Sequence, residues 1–213
     1  MKKKITIILL IIIILAAFAA GFVYSRNGIS EIVCIGDSIT YGYNSEKSYP
    51  SYLSEMTDLN VVNKGICGIT SEKMLEKYKK MVTDDTQTVV LLIGINDIFY
   101  IDDSGYKPAE NIEKMVSWLK DKNINVILCT YPENRAENFF SEWTGQEKEE
   151  FYIKFKSLNE DIRNISYKYN TGLVDLNLNF NGFREEYDLD GVHMNSEGNR
   201  VIAEFVKNML IIF

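Results

Sequence analysis

The fold is decided by residues 89–129, VVLLIGINDIFYIDDSGYKPAENIEKMVSWLKDKNINVILC, in which two apolar runs enclose an amphipathic segment. The runs at 89–93 and 126–129 are almost continuous and rich in β-branched residues, which is typical of parallel strands covered on both faces. Between them, apolar residues recur at helical spacing over 112–119, and Pro108 suits the first turn of a helix. Strand, helix and strand in this order predict a parallel βαβ unit.

The same alternation extends along the chain on both sides of this unit. Further apolar runs occur at 32–35, 61–63 and 173–176. The longest amphipathic segment, 151–169, follows Thr144 and Glu147, whose spacing predicts a capping box. Five strands that alternate with helices predict an α/β fold, a doubly wound three-layer sandwich around a five-stranded parallel sheet. In such folds, binding and catalytic sites lie beyond the carboxyl ends of the strands.

The first 25 residues stand apart from this pattern. Lysines occupy positions 2–4, and the uncharged stretch 5–25 follows them. At 1.5 Å per residue this stretch reaches about 30 Å, the hydrocarbon thickness of a bilayer, which favours an uncleaved transmembrane anchor. The small residues Ala17 and Ala19 leave a cleaved signal peptide open as the alternative. The lysines predict a cytoplasmic N-terminus, so we expect the rest of the chain outside the cytoplasm, either held at the cell membrane or secreted.

The domain that remains, residues 26–213, is acidic, with 20 basic and 30 acidic side chains and a formal charge of −10. Such a domain lacks the positive surface that binds a phosphate backbone, which excludes nucleic acid as a partner. Cys34, Cys67 and Cys129 lie among apolar residues, and we expect all three to be buried thiols. Because His193 is the only histidine, a histidine-rich zinc or iron site is impossible. We therefore expect no metal and no cofactor.

Four polar motifs fall at the predicted strand ends or in the last loop. They are Gly36-Asp37-Ser38, the loop 63–68 (NKGICG), Gly94-Ile95-Asn96-Asp97 and Asp190-Gly191-Val192-His193. Each motif alone is weak, but their joint occurrence in this order in an α/β chain is specific. The combination resembles the SGNH hydrolases, the GDSL family of esterases and lipases, over nearly all of residues 31–210. The resemblance implies a flavodoxin-like sandwich that catalyses acyl transfer.

The resemblance also implies a role for each polar residue. Ser38 would be the nucleophile, His193 the general base and acid, and Asp190 the residue that orients the histidine. The backbone N–H groups of Ser38 and Gly65, together with the side-chain amide of Asn96, would form the oxyanion hole.

General chemistry supports the first three roles without the family. A serine hydroxyl is a poor nucleophile until a base takes its proton, and imidazole titrates near neutrality. His193 is the only imidazole available. A carboxylate three residues earlier on a tight turn can reach the ring nitrogen that faces away from serine. This favours Asp190 over Asp188, which lies five residues before the histidine.

We therefore expect a serine esterase that hydrolyses O-acyl esters, with acetyl or other short-chain esters of glycans or small molecules as substrates. Three alternatives stay open: an O-acyltransferase acting on glycans, a lysophospholipase or lipase, and, less favoured, a non-catalytic surface-binding module. The loop 132–145 carries Phe139, Phe140 and Trp143 among charged and amide residues, which suits a sugar-binding rim better than a lipid tunnel. The sequence contains no signal for the oligomeric state.

Overall fold

The computed structural model describes residues 31–99, 107–133, 135, 138, 142–182 and 185–212. Five parallel strands form one sheet in the order β2-β1-β3-β4-β5. They are β1 (Glu31–Gly36), β2 (Asn60–Gly65), β3 (Thr86–Leu92), β4 (Asn125–Cys129) and β5 (Gly172–Val174). The α/β class and the five-stranded parallel sheet predicted from the apolar runs are confirmed. The anchor or signal predicted for residues 1–25 lies outside the described residues, and none of the described helices is both long and apolar enough to span a bilayer.

Helices connect the strands and cover both faces of the sheet. They are α1 (Ser38–Tyr41), α2 (Tyr49–Thr57), α3 (Ser71–Leu75), α4 (Ile95–Phe99), α5 (Pro108–Asp121), α6 (Gly145–Tyr169), α7 (Leu176–Asn179) and α8 (Ser196–Ile212), with 3₁₀ turns at Tyr78–Lys80 and Glu185–Tyr187. α2 packs against α8, whereas α5 packs against both α3 and α6. The predicted capping box is present, since Thr144 and Glu147 bond each other's backbone N–H at the start of α6.

The strand order places a topological switch point between β1 and β3, because the chain leaves β1 toward one edge of the sheet and β3 toward the other. Gly36 is paired with Gly65 on one side and with Leu92 on the other. The carboxyl ends of the three strands are therefore level. A Cβ at position 36 would lie 2.4 Å from the carbonyl oxygen of Leu92, so glycine is required for this close approach.

Burial follows the position of each strand in the sheet. β3 and β4 are buried along most of their length, but β2 is an edge strand and only half-buried. Cys34 and Cys129 are buried, and burial raises the pKa of both thiols, so they remain protonated. The prediction that Cys67 is buried is wrong: β2 ends at Gly65, and Cys67 is exposed on the turn beyond it.

Candidate active site

Ser38 lies at a sharp strand-to-helix turn at the end of β1. Asp37 caps the four-residue helix α1, and its Oδ1 accepts a hydrogen bond of 2.9 Å from the Ile39 N–H. Gly42 follows helix α1 as its C-cap, and its φ of +84° turns the chain out of the helix. Ser38 is buried. The turn therefore holds the serine hydroxyl at the switch point of the sheet.

His193 and Asp190 lie on the loop before α8, and this loop brings them to Ser38. Nε2 of His193 is 2.9 Å from the Ser38 Oγ, and Nδ1 is 2.8 Å from the Asp190 Oδ2. The backbone N–H groups of Val192 and His193 also donate to the Asp190 Oδ1, at 3.1 and 2.9 Å. The three residues thus form a continuous Ser–His–Asp chain of hydrogen bonds, although Ser38 and His193 are 155 residues apart.

The carboxylate of Asp190 is held in its ionised form. Partial burial raises its pKa, but the hydrogen bonds and charge of His193 outweigh burial, so that the pKa lies below its usual value. Asp188, the alternative carboxylate in the sequence, instead accepts the Gly191 N–H with both oxygens, at 2.9 and 2.8 Å. Its contacts brace the loop, and Asp190 is the partner of the imidazole.

Asn96 lies on α4, one of the short helices that directly follow a strand. Its side chain is buried, and its Nδ2 donates to the carbonyl oxygen of Ile69 at 3.0 Å. This bond uses one of the two amide hydrogens and leaves the second for another acceptor. The neighbouring Asp97 accepts the backbone N–H and the hydroxyl of Ser71, at 2.8 and 2.6 Å. Asp97 therefore ties α4 to the start of α3.

The Gly65 N–H, predicted as an oxyanion donor, has an acceptor within the protein. Its backbone N–H donates to the Asn63 Oδ1 at 2.9 Å and is not available to an oxyanion. A Cβ at Gly65 would lie 2.2 Å from the backbone nitrogen of Tyr41, so this glycine serves close packing instead. Gly68, in the turn between Ile66 and Ile69, has a φ of +70°. Within the described part of the chain its N–H makes no hydrogen bond.

A buried network beneath the nucleophile was not predicted from the sequence. The Tyr131 hydroxyl, at the end of β4, donates to the Asp37 Oδ2 at 2.5 Å. Asn159 on α6 holds the backbone of Tyr131 on both sides, accepting its N–H at 2.8 Å and donating to its carbonyl at 3.1 Å. Burial raises the pKa of Asp37 to about 6, against the opposing effect of its hydrogen bonds. The available signal was a lone Asn inside the apolar stripe of α6.

The structure describes part of the loop 132–145, which the sequence predicts to form a sugar-binding rim. Trp143 packs on Phe151 and Phe99, with ring centroids 5.3 and 6.2 Å apart. These rings line a cavity of about 280 Å³ together with Ile98, Glu147, Glu150 and Lys154. Phe139 and Phe140 lie outside the described residues. Among the described residues, no three His, Cys, Asp or Glu side chains converge as metal ligands would.

A parallel α/β sandwich with a serine, a histidine and an aspartate in contact at the strand ends defines a serine ester hydrolase. Residues 34–201 match the GDSL-like Lipase/Acylhydrolase family, and the chain belongs to that family. The resemblance carried by the four sequence motifs is confirmed. No curated protein sequence matches the chain.

Several solved structures share the fold. An acetyl xylan esterase, AlAXEase, is 24% identical with a TM-score of 0.65, and the match covers 84% of this chain and 98% of that one. A lipase/acylhydrolase from Enterococcus faecalis is 23% identical with a TM-score of 0.69, covering 85% and 95%. A GDSL-like lipase from Bacteroides thetaiotaomicron is 22% identical with a TM-score of 0.69, covering 86% and 89%. At these identities the likeness establishes a common fold.

Proposed function

We propose that the protein hydrolyses short-chain O-acyl esters through a covalent acyl-enzyme on Ser38. The observation that carries this proposal is the hydrogen-bonded chain from the Ser38 Oγ to the His193 Nε2 and from the His193 Nδ1 to the Asp190 Oδ2, at 2.9 and 2.8 Å. This order of groups is what proton transfer from a serine hydroxyl requires.

In the first half of the reaction the Ser38 Oγ attacks the ester carbonyl carbon while the His193 Nε2 takes the hydroxyl proton. The electrons of the carbonyl π bond move to the carbonyl oxygen, which becomes an oxyanion. Asp190 stabilises the imidazolium that forms on His193. When the tetrahedral intermediate collapses, the bond to the alcohol oxygen breaks. The Nε2 proton passes to that oxygen, so the alcohol leaves neutral and the acyl group stays on Ser38.

In the second half a water molecule replaces the alcohol. The His193 Nε2 takes a proton from the water as the oxygen attacks the acyl carbon, and it returns the proton to the Ser38 Oγ when the acyl–oxygen bond breaks. The products are a carboxylic acid and the free enzyme. An O-acyltransferase would follow the same steps with a sugar hydroxyl in place of water.

The oxyanion formed in both halves needs hydrogen-bond donors, each worth roughly 3 to 4 kcal/mol of transition-state stabilisation. The Ser38 N–H is one, because the first N–H groups of a helix have no intrahelical acceptor. The second hydrogen of the Asn96 amide is another. Gly68 replaces Gly65 as the backbone donor of the β2 loop, since it directly precedes Ile69, whose carbonyl oxygen holds Asn96.

The lining of the cavity between α4 and the start of α6 supports a glycan or another polar alcohol as the leaving group. Phe99 and Trp143 offer aromatic faces, while Glu147, Glu150 and Lys154 offer charged groups that hydroxyls can bond. Such a lining, which combines aromatic rings with charged side chains, suits a sugar ring better than a hydrocarbon chain. Acetylated glycans are therefore the favoured substrate class, and lipid esters are the alternative.

The location proposed for this activity is the outer side of the cell membrane. It is supported by the uncharged stretch 5–25 behind the lysines at 2–4. An anchored protein stays with membranes after alkaline carbonate washing and is released by detergent. A mature N-terminus near Ala20, found by mass spectrometry, would indicate a cleaved signal and a secreted enzyme instead.

Labelling and hydrolysis together test the proposed function. The full-length protein in detergent is treated with a fluorophosphonate probe and assayed on nitrophenyl acetate and an acetylated oligosaccharide, alongside Ser38→Ala. We expect the probe on Ser38 and an inactive, folded variant, because only the attacking oxygen is removed. Labelling elsewhere, or full activity in Ser38→Ala, would refute the assignment. Acetyl transfer to an added oligosaccharide exceeding hydrolysis would indicate the acyltransferase.

A further inference from the structure

One aromatic ring packs directly on the only histidine of the chain. The ring centroids of Tyr43 and His193 are 4.6 Å apart, and the ring planes are inclined by 43°. Tyr43 is 37% exposed, whereas His193 is only 7% exposed. The tyrosine ring therefore stands between part of the imidazole and the solvent.

The backbone fixes Tyr43 at this place. The N–H groups of Gly42 and Tyr43 both donate to the Ser38 carbonyl oxygen at 3.0 Å. Two residues further, the Ser45 hydroxyl lies 3.2 Å from the hydroxyl of Ser196, at the start of α8. The turn that carries the ring is thus tied to the serine at one end and to the helix after the histidine at the other.

We propose that Tyr43 is a positioning residue for His193. The tyrosine ring keeps the imidazole in the orientation that joins Ser38 to Asp190, and it shields the imidazole from solvent. The inference rests on the proposed role of His193 as the base. The χ2 torsion of histidine has broad energy wells, so a ring packed against the imidazole restricts tilting that hydrogen bonds at the two nitrogens allow. An aromatic face within about 6 Å of a cation also attracts it, which favours the imidazolium formed during acyl transfer.

The single histidine makes the shielding directly measurable. Diethyl pyrocarbonate is added to the folded full-length protein without substrate, and the absorbance at 240 nm follows modification of His193, the only histidine present. We expect Tyr43→Ala to raise the modification rate severalfold, and Tyr43→Phe, which keeps the ring, to retain the wild-type rate. Tyr41→Ala is the matched control: it removes a tyrosine that is 56% exposed and two residues away, and we expect it to leave the rate unchanged.

Kinetics on nitrophenyl acetate separate positioning from substrate contact. Tyr43→Ala is expected to lower kcat about tenfold with KM nearly unchanged, because a misplaced base slows proton transfer. Tyr43→Phe is expected to restore kcat. Tyr43→Leu keeps much of the bulk, and it tests the ring if Tyr43→Ala fails to reach the wild-type melting temperature.

Three results would overturn the inference: an unchanged modification rate in both Tyr43→Ala and Tyr43→Leu, a loss confined to KM, or a Tyr43→Phe variant as impaired as Tyr43→Ala. Failure of the proposed function is distinguishable from these, since it would appear as full activity in Ser38→Ala. The modification experiment uses no substrate and reports on the ring contact in either case.

Discussion

Asp190 and Asp37, two carboxylates beside the Ser38–His193 pair, have pKa values shifted in opposite directions. Asp190 is half-buried and receives the N–H groups of Val192 and His193 in addition to the imidazole, so its pKa is lowered. Asp37 is completely buried, and burial raises its pKa to about 6 although Tyr131 and a backbone N–H bond it. The balance between burial and donors therefore decides which carboxylate stays ionised.

This difference assigns distinct tasks to the two groups. A carboxylate that stabilises an imidazolium must remain charged throughout the working pH range, which suits Asp190. Asp37 instead caps α1 and connects the serine turn to β4 through Tyr131. The comparison predicts that replacing Asp190 mainly lowers kcat, whereas replacing Asp37 mainly changes how the free energy of unfolding depends on pH.

Among the replacements that test this comparison, the largest effect is expected from Asp190→Asn. The amide would favour the wrong tautomer of His193, and kcat should fall by roughly 10⁴-fold with the fold intact. The measurement is kcat on nitrophenyl acetate at pH 8, with Asp188→Asn as the matched control because the Asp188 carboxylate bonds the backbone N–H of Gly191. If the two variants lost activity equally, the assignment of Asp190 as the imidazole partner would be wrong.

The next largest effect is expected at Asn96, the proposed donor to the oxyanion, since a carboxylate cannot stabilise a negative charge. Asn96→Ala should lower kcat about a hundredfold to a thousandfold with little change in KM, since the amide acts on the transition-state oxyanion. Asn111→Ala is the control: it removes another buried amide, one that donates to the Ser71 hydroxyl, and we expect it to lower stability more than kcat. An Asn96→Ala change confined to KM would make Asn96 a substrate-binding residue.

Asp37→Asn tests the other half of the comparison through pH. The pKa of Asp37 is raised from 3.8 to about 6, so the folded state binds more protons than the unfolded state between these values. The free energy of unfolding of the wild type therefore falls as pH rises from about 4 to about 6, by on the order of 2 to 3 kcal/mol from this group.

The Asp37→Asn variant lacks this loss, and its stability relative to the wild type should rise over the same interval. Urea unfolding at pH 4, 5, 6 and 7 measures the difference, and contributions from other carboxylates cancel in it. A constant offset between the two proteins across this range would show that Asp37 does not titrate there.

The smallest expected effect is that of acyl-chain length on kcat/KM, which does not involve either carboxylate. We expect kcat/KM to be severalfold higher for acetyl than for octanoyl esters, because the cavity lined by Phe99 and Trp143 also carries Glu147, Glu150 and Lys154. An apolar groove would instead add up to roughly 0.8 kcal/mol for each buried methylene. A steady rise of kcat/KM from two to eight carbons would move the substrate class to lipids.

The sheet and the helices were predictable because hydrophobic periodicity is local. The runs at 89–93 and 126–129 lie in β3 and β4 or directly after them, and the capping box at Thr144 begins α6 as expected. Half-burial of β2 was not predicted, since strand order, which puts β2 at an edge, is set by long-range packing.

Contacts within the candidate site could be predicted from the sequence only where both residues belong to the same short motif. The spacing of Asp190 and His193 on one turn is such a case. The proposed backbone donor of the β2 loop changes from Gly65 to Gly68 because both glycines fit the sequence motif, and only the hydrogen bond from Gly65 to Asn63 distinguishes them. Asp37 and Tyr131 are 94 residues apart, and no local pattern marks such a pair.

The separation of 155 residues between Ser38 and His193 has a consequence for biogenesis. A chain that emerges from the ribosome completes β1 and its serine early, but the histidine follows only after all five strands. On the proposed mechanism, nascent or C-terminally shortened chains hold a serine without a base, and we expect them to be inert toward esters. We expect recovery of activity during refolding to report docking of the last loop onto the sheet, a contact of high sequence separation whose loop-closure cost grows only slowly with loop length.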